Sequence, residues 1–144
     1  MGLNIHSENA RNPNIKDLFT EVDLMLCGSA TPVNGVAAVG TLTVDTQPTA
    51  GDTMTIGSTV YTFISNGATL AVNQIKVGAD LAGAKLNIVA AINGTDSVNS
   101  AHPTVGASAF STNVCTLTAR TKGTAGNSIA LAETYTAVTN IFNG

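Results

Sequence analysis

The feature that most narrows what this chain can fold into is a side-chain period of two. In Val39-Gly40-Thr41-Leu42-Thr43-Val44-Asp45-Thr46 apolar residues alternate with hydroxyl-bearing ones, and successive side chains face opposite ways in a β-strand. The alternation returns at Thr53 to Ile56 and at Thr59 to Ser65, with Gly57-Ser58 between the two runs. A Gly-X pair in that place predicts a hairpin closed by a type II′ turn, because Gly takes the positive φ of the first turn position without a Cβ clash. Thr occurs 21 times in 144 residues, and β-branched side chains suit a pleated, half-buried surface. Charged residues make up only 10% of the chain, but this is not the composition of a disordered protein, which is charge-rich and poor in β-branched residues. The length fits one domain able to bury a core without disulfides or metal.

Further along, Asn66-Gly67 marks a turn and Ala71 to Val77 reads as another strand. The period then changes. Leu81, Ala84, Lys85, Ile88, Val89 and Ile92 lie on one face of a helix over about 80–93, with Asp80 as N-cap and Asn93-Gly94 as its end. Val105 to Ser111 and Val114 to Arg120 predict a second hairpin. Thr121 to Asn127 forms a Gly-rich turn, and Ser128 to Thr136 a last strand before a short tail. The expected fold is mainly β (α+β): an antiparallel β-sandwich or barrel-like sheet, one covering helix, and an extended N-terminal arm.

The arm and its linker occupy residues 1–38 and the Thr-rich β domain residues 39–144. The opening MGLNIHSENARNPNIKD is polar and Asn-rich, with too few large apolar residues to fold alone. Leu18 to Leu26 differs, with an apolar stripe that fits a helical face through Leu18, Val22, Met25 and Leu26 or a strand through Val22, Leu24 and Leu26. Either way, Leu18, Phe19, Val22, Leu24 and Leu26 are the candidate partner-binding residues, through docking on a neighbouring subunit or strand addition to its sheet edge. The alternative is ordinary core, as a further strand of the domain. Gly28 to Gly35 reads as a linker.

Chemistry-bearing residues do not converge. His6 and His102 are each without a carboxylate at a spacing that would orient them, and read as solvated loop residues. Cys27 and Cys115 are far apart and read as buried free thiols. Asp45 and Asp52 flank one turn but supply too few oxygens for calcium, so Asp52 reads as a turn former accepting backbone N–H groups. Gly123 to Ser128 lacks the Lys of a phosphate loop and opens no helix. Gly123 and Gly126 there read as positive-φ turn residues. Asn93-Gly94-Thr95 matches a glycosylation sequon, without consequence unless the chain is secreted. No catalytic residue, cofactor or metal site is expected, and the chain reads as non-enzymatic. A net charge of −3 with six scattered Lys and Arg argues against direct nucleic-acid binding. No apolar run approaches the roughly 20 residues of a membrane helix, and a soluble protein made without a secretory signal is expected.

Three stretches together have a family likeness: the hairpin Gly51 to Gly57 (GDTMTIG), the helix end Ala90 to Asn93 (AAIN), and Ala119 to Asn127 (ARTKGTAGN). In that order, across residues 39 to 135, they resemble a β domain recurrent in structural proteins of tailed bacteriophages, among them head decoration (cement) and tail-associated proteins. The resemblance implies a virion structural protein made in the host cytoplasm. The expected function is a capsid decoration protein on the capsid exterior, binding the major capsid protein and copies of itself in a homo-oligomer. The alternative is a tail, adaptor or fibre component. A glycan-binding or host-surface module is disfavoured, because sugar sites usually add aromatic platforms and this chain has no Trp and six Phe and Tyr. The arm lies outside the resemblance.

Overall fold

The computed structural model describes residues 35–144. The arm with Leu18 to Leu26, together with His6, Cys27 and the linker before Gly35, lies outside the described residues. Strand β1 runs Ala37–Thr43, β2 Thr53–Ile56 and β3 Thr59–Ile64. The predicted hairpin joins β2 and β3 in the register Met54↔Tyr61 and Ile56↔Thr59. Gly57 at φ 58 supplies the positive dihedral of its two-residue turn. Met54, Ile56, Tyr61 and Phe63 are buried on one face of this pair, while Thr53, Thr55, Val60 and Thr62 lie on the other. The period of two therefore sorts core from surface directly.

The remaining elements are β4 (Gln74–Lys76), helix α1 (Leu81–Asn93), β5 (Val105–Ala107), β6 (Val114–Lys122), a 3-10 turn at Gly126–Ser128, β7 (Leu131–Glu133) and β8 (Ile141–Asn143). They form two four-stranded sheets, ordered β5-β6-β1-β8 and β4-β3-β2-β7. Their inner faces enclose a core that includes Leu42, Val44, Met54, Ile56, Tyr61, Phe63, Ile75, Cys115 and Leu117, joined by Ile88, Ala91 and Ile92 of the helix. The architecture is a sandwich rather than a closed barrel: β7 and β8 come into contact at one side, but no ladder joins the two sheets.

The helix closes the opposite side, where it contacts both edge strands, β4 and β5. Asp80 caps it, accepting the Gly83 N–H at 2.7 Å, and Gly94 ends it in the left-handed conformation at φ 69. Its polar side chains cover the strand edges it faces. The Asn93 amide donates to the Ala107 carbonyl at 2.8 Å and accepts the Ala107 N–H at 3.0 Å, as another strand would. Asn87 Nδ2 donates to the Lys76 carbonyl of β4 at 3.0 Å. Unpaired edge groups invite association with other chains, and the helix covers them here.

Four expectations need correction. Within the predicted strand at Ala71 to Val77 only Gln74–Lys76 is extended, and β4 pairs parallel to β3. Asn73 there sits at φ 60, turning the chain before it enters the sheet. The predicted strand Ser128 to Thr136 shrinks to β7, because the 3-10 turn occupies its start. The expected tail holds β8, which pairs with β1 through Leu42↔Phe142. Finally, Gly123 does take a positive φ of 90 but Gly126 does not. A Cβ on the buried Gly126 would lie 2.8 Å from the Ala38 Cβ and 2.9 Å from the Ala119 Cβ, so it is there for close packing.

Candidate interaction surfaces

Residues whose chemistry could suggest a site are committed to holding the fold. Asp52 is buried, and its Oδ2 accepts the Thr49 N–H at 2.8 Å while Oδ1 accepts the Thr136 N–H and hydroxyl at 3.0 and 2.7 Å. It is the turn former expected, and it also fastens the segment after β7. Asp45 is exposed and accepts hydroxyls from Thr46 and Thr139, which hold its carboxyl below the usual range. The two carboxylates thus have separate partners and form no pair. Cys115 is a buried free thiol, as expected, and burial pushes its pKa up, away from reactivity. Among the described residues no group of three His, Cys, Asp or Glu is placed to hold a metal ion, and no helix is long and apolar enough to cross a membrane.

His102 is not the solvated loop residue its sequence context suggests. It is 3% exposed. Nε2 lies 3.1 Å from the Ile56 carbonyl, which can only accept, so Nε2 carries the proton. Nδ1 then accepts the backbone N–H groups of Thr104 and Val105, each at 3.3 Å. The ring joins the β2–β3 hairpin of one sheet to β5 of the other. Burial lowers its pKa, and the Arg120 cation adds to the lowering. Arg120 Nε meanwhile donates to the His102 and Val105 carbonyls at 2.9 and 3.0 Å. His102 is a structural pin.

The sheets present two outward faces. On the outer face of the β1-containing sheet, Thr41 stands opposite Thr116 and Asn143, Thr43 opposite Val114 and Ile141, and Val39 opposite Thr118. These pairs are uncharged, with Val39, Val114 and Ile141 exposed, while the same ladder ends in Lys122 opposite Ala37, and the exposed Arg120 lies on this side of β6. On the other sheet the outward rows pair Thr53 with Thr62, Thr55 with Val60 and Ala132, and Ile64 with Lys76. Lys76 is the one charge in those rows.

A second surface lies along the helix. Leu81, Ala82, Leu86, Val89 and Ala90 border a groove of about 810 Å³ whose other wall is Ala109, Phe110 and Thr112, in the loop between β5 and β6. Leu86 is 72% exposed. Lys85 is the groove's only charged residue among the described residues, and its Nζ donates to the Thr112 carbonyl at 2.7 Å and Asn113 Oδ1 at 2.8 Å, 5.6 Å from the centre of the Phe110 ring. Leu81, Lys85 and Val89, placed by the sequence on one helical face with Ile88 and Ile92, are half-buried: Leu81 and Val89 pack against the core, and all three also flank this groove. The missed signal is Ala82-Leu86-Ala90, an apolar row at i, i+4, i+8 on the side away from the core. The candidate residues Leu18, Phe19, Val22, Leu24 and Leu26 lie outside the described residues. No protein-family model, curated protein or solved structure matches the chain.

Proposed function

We propose that this chain is a decoration (cement) protein of a bacteriophage capsid, which binds the shell of the major capsid protein from outside and stabilises it as a homo-oligomer. The observation that carries this reading is the pair of broad, nearly charge-free sheet faces. A face of Thr, Val, Ile and Asn loses water at far lower cost than one of Lys and Glu, which are depleted where proteins meet. In the domain beneath, amide-rich loops are tied to backbone. Asn140, for example, accepts the N–H groups of Asp45 and Thr46 and donates to the Thr46 carbonyl. Such a body suits a part that adds buried area across subunit boundaries without changing shape. The mechanism is mechanical: many copies on a symmetric shell make attachment multivalent.

The test uses purified coat shells. Deleting residues 1–26 is expected to lower binding at least tenfold and to remove the protection that the full chain gives shells against heat. Undiminished binding of the truncated chain would overturn the role of the arm. Tens of copies per particle, where a cement protein would give hundreds, would place the chain in the tail.

A further inference from the structure

We propose that Arg120 and Lys122, at the end of β6, form a carboxylate-binding pair that fixes the register in which the outer face of the β5-β6-β1-β8 sheet docks on an acidic segment of a partner protein. The inference rests on the cement reading above, in which that partner is the coat shell, and names a polarised contact on a face otherwise made of Thr, Val, Ile and Asn.

The first observation is how Arg120 is held. Its Nε donates to the His102 and Val105 carbonyls at 2.9 and 3.0 Å, and its backbone N–H donates to the Thr104 carbonyl at 2.8 Å. The backbone from His102 to Val105 thereby fixes the guanidinium plane. The residue is nevertheless exposed, and among the described residues its two Nη groups have no hydrogen-bond partner. An arginine pinned at Nε has less rotamer freedom to lose on binding, and a carboxylate matches its two open Nη groups with parallel hydrogen bonds. The strand is also irregular at this point. Val39 stands opposite Thr118 but Ala37 opposite Lys122, so two steps along β1 answer to four along β6. A bulge of this kind re-aims side chains out of the regular alternation.

The second observation is charge. Arg120 and Lys122 are within about 7 Å of each other between Cα atoms, at the rise of a strand. Asp45, Asp52, Asp80 and Asp96 accept from threonines, asparagine or backbone N–H groups, so among the described residues none of these carboxylates is bonded to either cation. Two cations are too few to follow a run of phosphates. Val36, whose carbonyl accepts the Gly123 N–H, and Val39, opposite Thr118, are both exposed along β1 next to the pair. That setting matches a protein segment in which an acidic side chain stands among apolar ones. The uncharged rows supply area but little to distinguish one register from the next, whereas charged contacts set orientation and encounter rate more than affinity.

The experiment uses the full chain labelled with nitrogen-15. Titration with an acetylated peptide of alternating valine and glutamate is expected to shift the Arg120 Nε–H and the Thr118 to Lys122 amides saturably. The same peptide with glutamine in place of glutamate should leave them unmoved. Equal shifts with both peptides, shifts centred elsewhere, or none would overturn the inference. In parallel, Lys122→Glu is expected to slow association with purified coat shells about tenfold and Lys122→Arg to keep it near wild type. Arg120→Lys, which keeps the charge but loses the anchored fork, should fall between them. Lys122 is exposed, so its variants should melt as wild type does. Unchanged shell binding by a folded Lys122→Glu overturns the pair and leaves the cement reading standing. A carbodiimide cross-link from Lys122 to an acid of its own chain, in place of one on the coat protein, overturns it as well. Wild-type protein that binds the glutamate peptide at Arg120 but binds no shells overturns the cement reading alone.

Discussion

Protonating His102 would place a second hydrogen on Nδ1, against the N–H groups of Thr104 and Val105 that this nitrogen now accepts. The folded state therefore resists the proton, and burial lowers the pKa from its ordinary value of 6.5. The unfolded chain binds that proton first as the solution is acidified. The contribution of His102 is complete above the unfolded pKa and is lost as pH falls from there toward the folded one, at up to about 1.4 kcal/mol per pH unit. Urea unfolding at about pH 7.5 and pH 5 should show this loss, over and above the titration of carboxylates at lower pH. His102→Ala should cost about 2–4 kcal/mol at neutral pH, by leaving the Ile56 carbonyl and two backbone N–H groups unpaired. It should also remove the His102 part of the pH dependence. A variant whose stability falls between the two pH values as steeply as wild type would show that another group titrates.

At the scale of elements, the two Asn side chains of α1 distinguish edge protection from ordinary helix polarity. Asn93 exchanges two hydrogen bonds with Ala107 of β5, whereas Asn87 makes one, to Lys76 of β4. Asn93→Ala should therefore cost about 1–3 kcal/mol and Asn87→Ala about half as much, since each leaves strand groups unpaired. Hydrogen exchange should quicken at the Ala107 amide in the first variant alone, and equal exchange in both would refute the assignment. Elements were legible in the sequence where the signal was local. The hairpin around Gly57 and the helix from Asp80 to Gly94 are written in contiguous residues, whose turn and cap geometry needs no distant partner. Strand β8 was not legible. Three residues are too few to show a period, and the preceding Asn140 is set by hydrogen bonds to a backbone more than 90 positions earlier. His102 was misread for the same reason: its burial depends on a carbonyl 46 residues away. The groove was half legible, as an apolar row whose second wall, Phe110, comes from another part of the chain.

For the whole molecule, the nearly charge-free sheet faces and the groove's single Lys85 set how association should respond to salt. Contacts between many opposed charges weaken as salt rises and the Debye length shrinks from about 10 Å at 0.1 M to about 3 Å at 1 M. Contacts made by burying apolar and hydroxyl-bearing surface have little charge to screen, and excluded salts such as sulfate strengthen them. Self-association and shell binding should thus fall by no more than a few fold between about 0.1 and 1 M sodium chloride, and rise in about 0.5 M sulfate. A steep loss in chloride, of a hundredfold or more, would mean that binding runs through the few charged residues, Arg120 and Lys122 at the end of β6 among them. The sheet faces would then be ordinary solvent-exposed surface.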